Sequence, residues 1–255
     1  MNNENNLSKV AQVTSLFWVM KICATTLGET AGDLLSMTLN VGYAISTVIL
    51  LGVFIATLVL QLRSRAFHPA LFWIVILSTS TAGTTMSDYM DRTLGLGYAM
   101  GSLILFSILV LVLAVWRYSE KTLSVDNIRS RKAESFYWTA ILVSNTLGTA
   151  LGDFLADDSG LGFLGSALLI AGLIAVVVLA YYFTRINRVT LFWIAFVLTR
   201  PFGATFGDLL TKPADSGGLD FGTVGSSLIL ASLLFGLILY TSFRPRPPPP
   251  QPDPG

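Results

Sequence analysis

Nearly the whole chain is written as apolar runs separated by short polar breaks, with windows at 13–36, 41–62, 70–90, 95–117, 136–156, 161–183, 190–211 and 221–243. Each window is long enough to cross a hydrocarbon core, which takes about 20 helical residues. Only helices and closed barrels satisfy every backbone group in lipid, and the strict alternation of a barrel strand is absent. The pattern predicts an all-α membrane protein with eight transmembrane helices.

One unit recurs within these runs. Phe17-Trp18 is followed fifteen positions after the Trp by Asp33, and the spacing repeats at Phe72-Trp73 to Asp88, Tyr137-Trp138 to Asp153 and Phe192-Trp193 to Asp208. Nine positions after the first three Asp residues come Gly42, Gly97 and Gly162, and the fourth copy reaches Gly222 after a five-residue insertion. Trp-to-Trp offsets of 55, 65 and 55 make residues 120 apart equivalent between halves, the mark of a duplicated two-repeat unit. The chain divides into a polar start (1–12), a first half (13–116), a linker (117–135), a second half (136–243) and a Pro-rich tail (244–255). Each copy crosses twice, so the four hairpins are parallel, unlike the inverted-repeat transporter plan. Closure around a central axis and packing as two halves facing a cavity both remain open at this level, as does a homo-oligomer.

Composition agrees with lipid as the solvent. Only 12% of residues are charged and 53% are hydrophobic, with mean hydropathy +0.68, a balance that cannot cover a water-soluble globule. The net charge of +1 hides an asymmetry between loops. On the side of the N-terminus lie Lys9, Arg63, Arg65, Arg117, Lys121, Arg129, Arg131, Lys132, Arg185, Arg188, Arg244 and Arg246; the opposite loops hold Arg92 and Lys212. The positive-inside rule places both termini in the cytoplasm. The charge balance gives no reason to expect a nucleic-acid partner. The single Cys23 excludes an internal disulfide and reads as packing. The start Met1–Ser8 runs into a span without a small-residue cleavage site, so the first helix is expected to be its own insertion signal. The linker reads as a hinge or amphipathic surface segment, and the tail as extended or disordered and solvated, with a proline-binding partner as the other reading.

The aromatic-Trp pairs fall near the cytoplasmic entrance of each odd helix and read first as interfacial anchors. Fifteen residues of helix carry each Asp about 22 Å farther in, towards the external mouth. Stepping back by fours from the acids gives Lys21-Thr25-Glu29-Asp33, Ser80-Thr84-Asp88, Asn145-Thr149-Asp153 and Arg200-Ala204-Asp208, one polar stripe per odd helix. A charge near the bilayer centre costs roughly 2.5 to 3.5 kcal/mol on insertion scales, so these stripes should line an interior. Beside them run Gly28/Gly32, Gly83/Ser87, Gly148/Gly152 and Gly203/Gly207, small-xxx-small pairs that suit close helix packing. Ser46-Thr47, Gly101-Ser102, Gly165-Ser166 and Gly225-Ser226-Ser227 open the even helices, where hydroxyls are expected to cap.

Five intramembrane acids, Glu29, Asp33, Asp88, Asp153 and Asp208, stand against two bases, Lys21 and Arg200, a net charge of -3 if all ionise. Desolvated like charges demand protons or counter-ions. Carboxylates, hydroxyls and carbonyls suit hard divalent ions, and the lone His68 argues against an imidazole-rich site. The expected activity is cation transport, namely export of a divalent metal such as Mn²⁺ with protons in exchange; no resident cofactor is expected. Lys21, Thr25, Thr84, Asn145, Thr149 and Arg200 form the supporting stripe, with Lys21 and Arg200 as tethered counter-ions that swap partners. The alternatives are a proton-coupled carrier of a small organic cation and a membrane sensor or scaffold in which the acids only fix the repeat interface. Without a His-based metal pair, a nucleophile-base-orienter set or a phosphate-cradling loop, the chain does not read as an enzyme.

Trp18, Trp73, Trp138 and Trp193, with their downstream Gly-x-x-x-Gly/Ser-Asp segments, resemble a family of bacterial membrane proteins built from four tandem two-helix repeats, each with a characteristic Trp. The resemblance covers about 17–243 and implies a multi-pass protein of the bacterial inner membrane; the repeat itself is one of unknown function and brings no residue roles. Gly28-Glu29-Thr30-Ala31-Gly32-Asp33 also resembles the acidic motifs of manganese and calcium exporters, without the basic residue that follows their Asp.

Overall fold

The structure, a computed structural model, describes residues 9–64, 66–125, 128 and 130–243. The polar start 1–8, the Pro-rich tail with Arg244 and Arg246, and the linker residues Asp126 and Arg129 lie outside the described residues, as does Arg65. Eight long helices follow in order: α1 (Ser15–Asp33), α2 (Tyr43–Arg63), α3 (Pro69–Asp88), α4 (Tyr98–Glu120), α5 (Arg131–Asp153), α6 (Gly162–Phe183), α7 (Arg188–Thr211) and α8 (Thr223–Phe243). No strand occurs among the described residues. Six of the eight are long and apolar enough to cross a membrane; α1 and α5, interrupted by Lys21 and Glu29 or by Arg131, Lys132, Glu134 and Asn145, are the two that are not.

Each odd helix has an explicit start. Thr14 Oγ1 accepts from Phe17 N, Ser130 Oγ from Ala133 N and Asn187 Oδ1 from Val189 N, while α3 opens on Pro69, whose missing N–H costs nothing there. The first three odd helices end alike. Immediately after Asp33, Asp88 and Asp153 the chain widens into one π-helical turn, Leu34–Thr38, Tyr89–Thr93 and Phe154–Asp158, before a glycine with positive φ releases it into the next helix. In the fourth copy α7 stays α-helical to Thr211, and the five extra residues form a separate loop with a short 3₁₀ turn, Ala214–Ser216.

The odd helices close a ring in the order α1, α3, α5, α7 and back to α1. Each even helix packs outside this ring against the odd helix of the next repeat: α2 on α3, α4 on α5, α6 on α7, and α8 on α1. Closure about a central axis is therefore the arrangement adopted. Glycine makes the ring tight. A Cβ on Gly28 or Gly32 would strike Ser80 or Thr84 of α3, one on Gly83 would meet Asn145 of α5, one on Gly148 would meet Arg200 of α7, and one on Gly203 would lie 2.6 Å from Thr25 Oγ1 of α1. Gly203→Ala is expected to lower stability by about 1–3 kcal/mol through overpacking, whereas Gly172→Ala, facing open space on α6, should not. Thermal unfolding of the two variants in detergent makes the comparison.

The burial pattern inverts that of a soluble protein. Val48, Leu103, Leu168 and Leu228 on the even helices are exposed, while Thr25, Thr84, Asn145 and Thr149 are sealed in the ring. Contiguous apolar surface of this kind belongs against lipid or a partner. Cys23 is buried, with its Sγ–H donating to Leu230 O, as a packing residue would be.

Three expectations need correction. Trp73, Trp138 and Trp193 are buried, so they are not interfacial anchors; each packs on the first aromatic of the preceding repeat, in the pairs Phe17–Trp73, Phe72–Trp138 and Tyr137–Trp193, and Phe192–Trp18 closes the cycle. This collar fills the end of the ring where the odd helices begin. Edge-on and tilted contacts of this kind add stability beyond the area they bury. Second, the linker is shorter than 117–135, because α4 runs to Glu120 and α5 begins at Arg131; of its described residues Val125 and Ile128 are buried at the collar end, where Trp193 Nε1 donates to Leu123 O, while Lys121, Thr122 and Ser130 are exposed. Third, the hydroxyls that open the even helices do not cap them. The N-caps of α2 and α4 are Gly42 and Gly97, without side-chain bonds, and Ser46, Ser166 and Ser226 face inward.

Candidate functional site

Four residues per turn-and-a-bit of helix, repeated on four parallel helices, stack the interior in layers. From the collar towards the opposite end these are Lys21/Ile76/Ile141/Phe196, then Thr25/Ser80/Asn145/Arg200, then Glu29/Thr84/Thr149/Ala204, then Asp33/Asp88/Asp153/Asp208, every one of them buried. All the acids and stripe residues singled out in the sequence thus face the ring interior.

The third layer is knit by a residue of the second. Arg200 rises past its own Ala204, with its stem laid over Gly148, and Nη2 donates to Glu29 Oε2 at 2.8 Å, Thr84 Oγ1 at 2.6 Å and Thr149 Oγ1 at 2.6 Å. The guanidinium joins all four helices. Its Nε and Nη1 have no acceptor among the described residues. Below it, Lys21 Nζ donates to Asn145 Oδ1 at 3.4 Å and sits 4.0 Å from the Phe196 ring centroid; Asn145 Nδ2 in turn donates to Thr79 Oγ1 at 2.9 Å. Thr25 donates to backbone carbonyls, Thr199 O of α7 among them.

The acid layer is divided by two bases that the sequence assigned to loops. Arg92, four residues after Asp88, places Nε 3.1 Å from Asp88 Oδ1 and Nη2 3.3 Å from Asp153 Oδ2. Lys212, four residues after Asp208, places Nζ 3.2 Å from Asp208 Oδ1 and 2.7 Å from Asp33 Oδ2. Arg92 and Lys212 are themselves 120 apart, so the pairs Asp88/Asp153 and Asp208/Asp33 are twofold-related, each spanned by a base from the even-numbered repeat. Their side chains are 30% and 21% exposed against 3–6% for the carboxylates, which makes them the lids of the acid layer. The interior tally becomes five acids against four bases, or -1 in place of -3. Asp91, a further buried acid, points away from this layer, accepting from Ser87 Oγ and filling the notch left by Gly101 of α4.

Three of the five carboxylates come closest together. Glu29, Asp33 and Asp208 each offer an oxygen within 4.8 Å of the others, a spacing that suits one hard cation. Asp88 and Asp153 lie outside that trio and are bridged to each other by Arg92. The twofold mate of Glu29 is Thr149, so only one of the two bridged pairs has a third carboxylate. Arg92 and Lys212 were findable: each follows its Asp at the i+4 spacing that pairs opposite charges, and each is the other's equivalent in the 120-residue repeat.

Four stretches of the chain, 16–67, 71–122, 136–187 and 191–246, match the family model described as Repeat of Unknown Function (DUF347). No curated protein and no solved structure matches the chain.

Proposed function

With four matched copies across most of its length, the chain belongs to this repeat family, and from the geometry of its ring we propose a membrane transport protein for cations. The cargo most in keeping with the donors is a divalent metal such as Mn²⁺, bound by Glu29, Asp33 and Asp208. In this reading all eight helices span a bacterial inner membrane, α1 and α5 being sheltered by their neighbours, both termini are cytoplasmic, and the acid layer lies at the outer mouth. The carrying observation is the carboxylate trio with a tethered ammonium, Lys212 Nζ, seated on two of its members.

The chemistry follows from competition for the same oxygens. A dication entering the trio displaces Lys212, whose lysine stem lets its ammonium swing towards solvent. Arg200 holds Glu29 while no cargo is present, and its two unspent donor nitrogens give the guanidinium somewhere to turn when Glu29 ligates the metal. Protonation of the carboxylates, or the return of Lys212, releases the ion. The aromatic collar is the barrier on the cytoplasmic side, and alternating access requires it to loosen when the lids close.

Thermal unfolding of the detergent-purified protein across Mn²⁺, Mg²⁺, Ca²⁺ and Zn²⁺ tests the reading. A ligand of the native state at 100 times its Kd stabilises by about 2.7 kcal/mol, and Lys212→Gln, which removes the competing ammonium, should lower the metal concentration needed. The seat of Lys212 also favours a second reading, a carrier of a small organic cation, because a primary ammonium is what two carboxylates hold there. Stabilisation by methylammonium but by no metal would select it. Purified protein in liposomes that moves neither would leave a membrane sensor or scaffold.

A further inference from the structure

The two halves differ at one place on the outside of the ring. In the first half, the cleft between the end of α2 and the starts of α3 and α5 is filled by the chain just before α1. Lys9 Nζ donates to Glu134 Oε2 at 3.0 Å and Gln61 Nε2 donates to Lys9 O at 3.2 Å; Val10, Gln61, Glu134 and Trp138 are all buried. Moving 120 residues gives the mate of this cleft, between the end of α6 and the starts of α7 and α1. There Glu134 is replaced by Thr14, Gln61 by Tyr181 and Trp138 by Trp18. Among the described residues no segment fills it to the same depth: Thr14 and Tyr181 are exposed, Trp18 is half-buried, and a groove of about 660 Å³ remains, with Val125 of the linker on its wall. That volume is within the roughly 300–1,000 Å³ range of small-molecule sites.

We propose that this groove holds one anionic phospholipid. Its wall is apolar, from Ile22, Ile174, Val178 and Phe192, and it includes the exposed α6 residues Val178, Tyr181 and Tyr182. At its collar end stands Arg188, stacked on Tyr181 with its guanidinium carbon 4.1 Å from the ring centroid, and without a carboxylate partner among the described residues. Charge complementarity selects the occupant. The filled cleft offers the carboxylate of Glu134 and receives the ammonium of Lys9; the open one has lost that carboxylate and gained Arg188 in place of His68, so it receives a phosphate. Acyl chains lie along the apolar wall; of the residues 120 on from Lys9 and Val10, Arg129 lies outside the described residues and Ser130 is exposed. Basic pockets between helices on the cytoplasmic side are suited to anionic head groups, and Arg188, which donates through Nη1 to Tyr181 O, is an exposed residue.

The inference rests on the membrane placement and not on cation transport, so it is read by fluorescence. Of the five tryptophans only Trp18 lines the groove. In phosphatidylcholine nanodiscs, brominated phosphatidylglycerol should quench Trp18 at about one-fifth of the mole fraction that brominated phosphatidylcholine requires, the preference that one basic residue near the surface supplies. Trp18→Phe should abolish the difference, and Arg188→Gln, an exposed change at the first position of α7, should equalise the two lipids with the fold intact by circular dichroism. Equal quenching by both lipids in the wild type, or a preference that survives Arg188→Gln, overturns the lipid site. No quenching by either lipid overturns the membrane placement with it.

Discussion

Arg200→Met is expected to cost about 3–5 kcal/mol, a drop in melting temperature on the order of 10 °C for a chain of this size. The loss has little to do with the strength of one ion pair. Arg200 is fully buried and joins all four inner helices, through Glu29, Thr84 and Thr149, from a stem packed on Gly148. Removing it leaves Glu29 as a buried carboxylate without its guanidinium and two threonine hydroxyls without a donor. Glu29→Gln carries a comparable cost in the opposite sense, leaving the cation uncompensated. The double variant Glu29→Gln/Arg200→Met should therefore be more stable than the sum of the two losses predicts, since paired charges replaced together leave nothing orphaned. Thermal unfolding in detergent of the four proteins of this cycle measures it, and strictly additive losses would show that the two side chains do not act together.

Under the proposed function, Asp33→Asn is expected to abolish cation movement while leaving the fold nearly intact. Asp33 sits in the carboxylate trio and in the Lys212 bridge at once, so amidation halves the charge that Lys212 sees and takes an anionic ligand from the cargo. Asp153→Asn, its twofold mate, lies in the pair held by Arg92 without a third acid, and its effect should be the smaller of the two. Metal accumulation in cells expressing each variant, with thermal unfolding as the control for folding, separates them. Unchanged export in Asp33→Asn would remove the trio from the mechanism; equal losses in both variants would mean that the two pairs share the work.

Much of this architecture was written in the spacing of residues. The eight helices, the fourfold repeat and the inward polar stripes follow from periodicity, because a helical face returns every four residues whatever surrounds it. Ring closure does not follow, since parallel hairpins with small-residue stripes satisfy the same pattern in more than one packing; the contacts of Gly203 with Thr25 and of Gly28 with Ser80 decide it in space. The tryptophans were misread for a related reason. An aromatic pair at a helix entrance has the same sequence signature whether it faces the head groups or the ring, and only the fourfold cycle of contacts between repeats distinguishes them. Arg92 and Lys212 were assigned to loops because hydropathy windows end at the last apolar residue, while the π turn after Asp88 and the last turn of α7 keep the helix going far enough to fold those bases back over the acids.

The handing of each even helix to the next repeat carries a consequence for biogenesis. Because α8 covers α1, the earliest of the four hairpins in the chain is the last to be roofed, and α1 bears Lys21, Glu29 and Asp33 throughout the wait. Its counter-charges, Arg200 and Lys212, arrive only with the fourth copy. Chains that stop before α7 therefore leave the polar face of α1 without the side chains that pair with it in the finished ring.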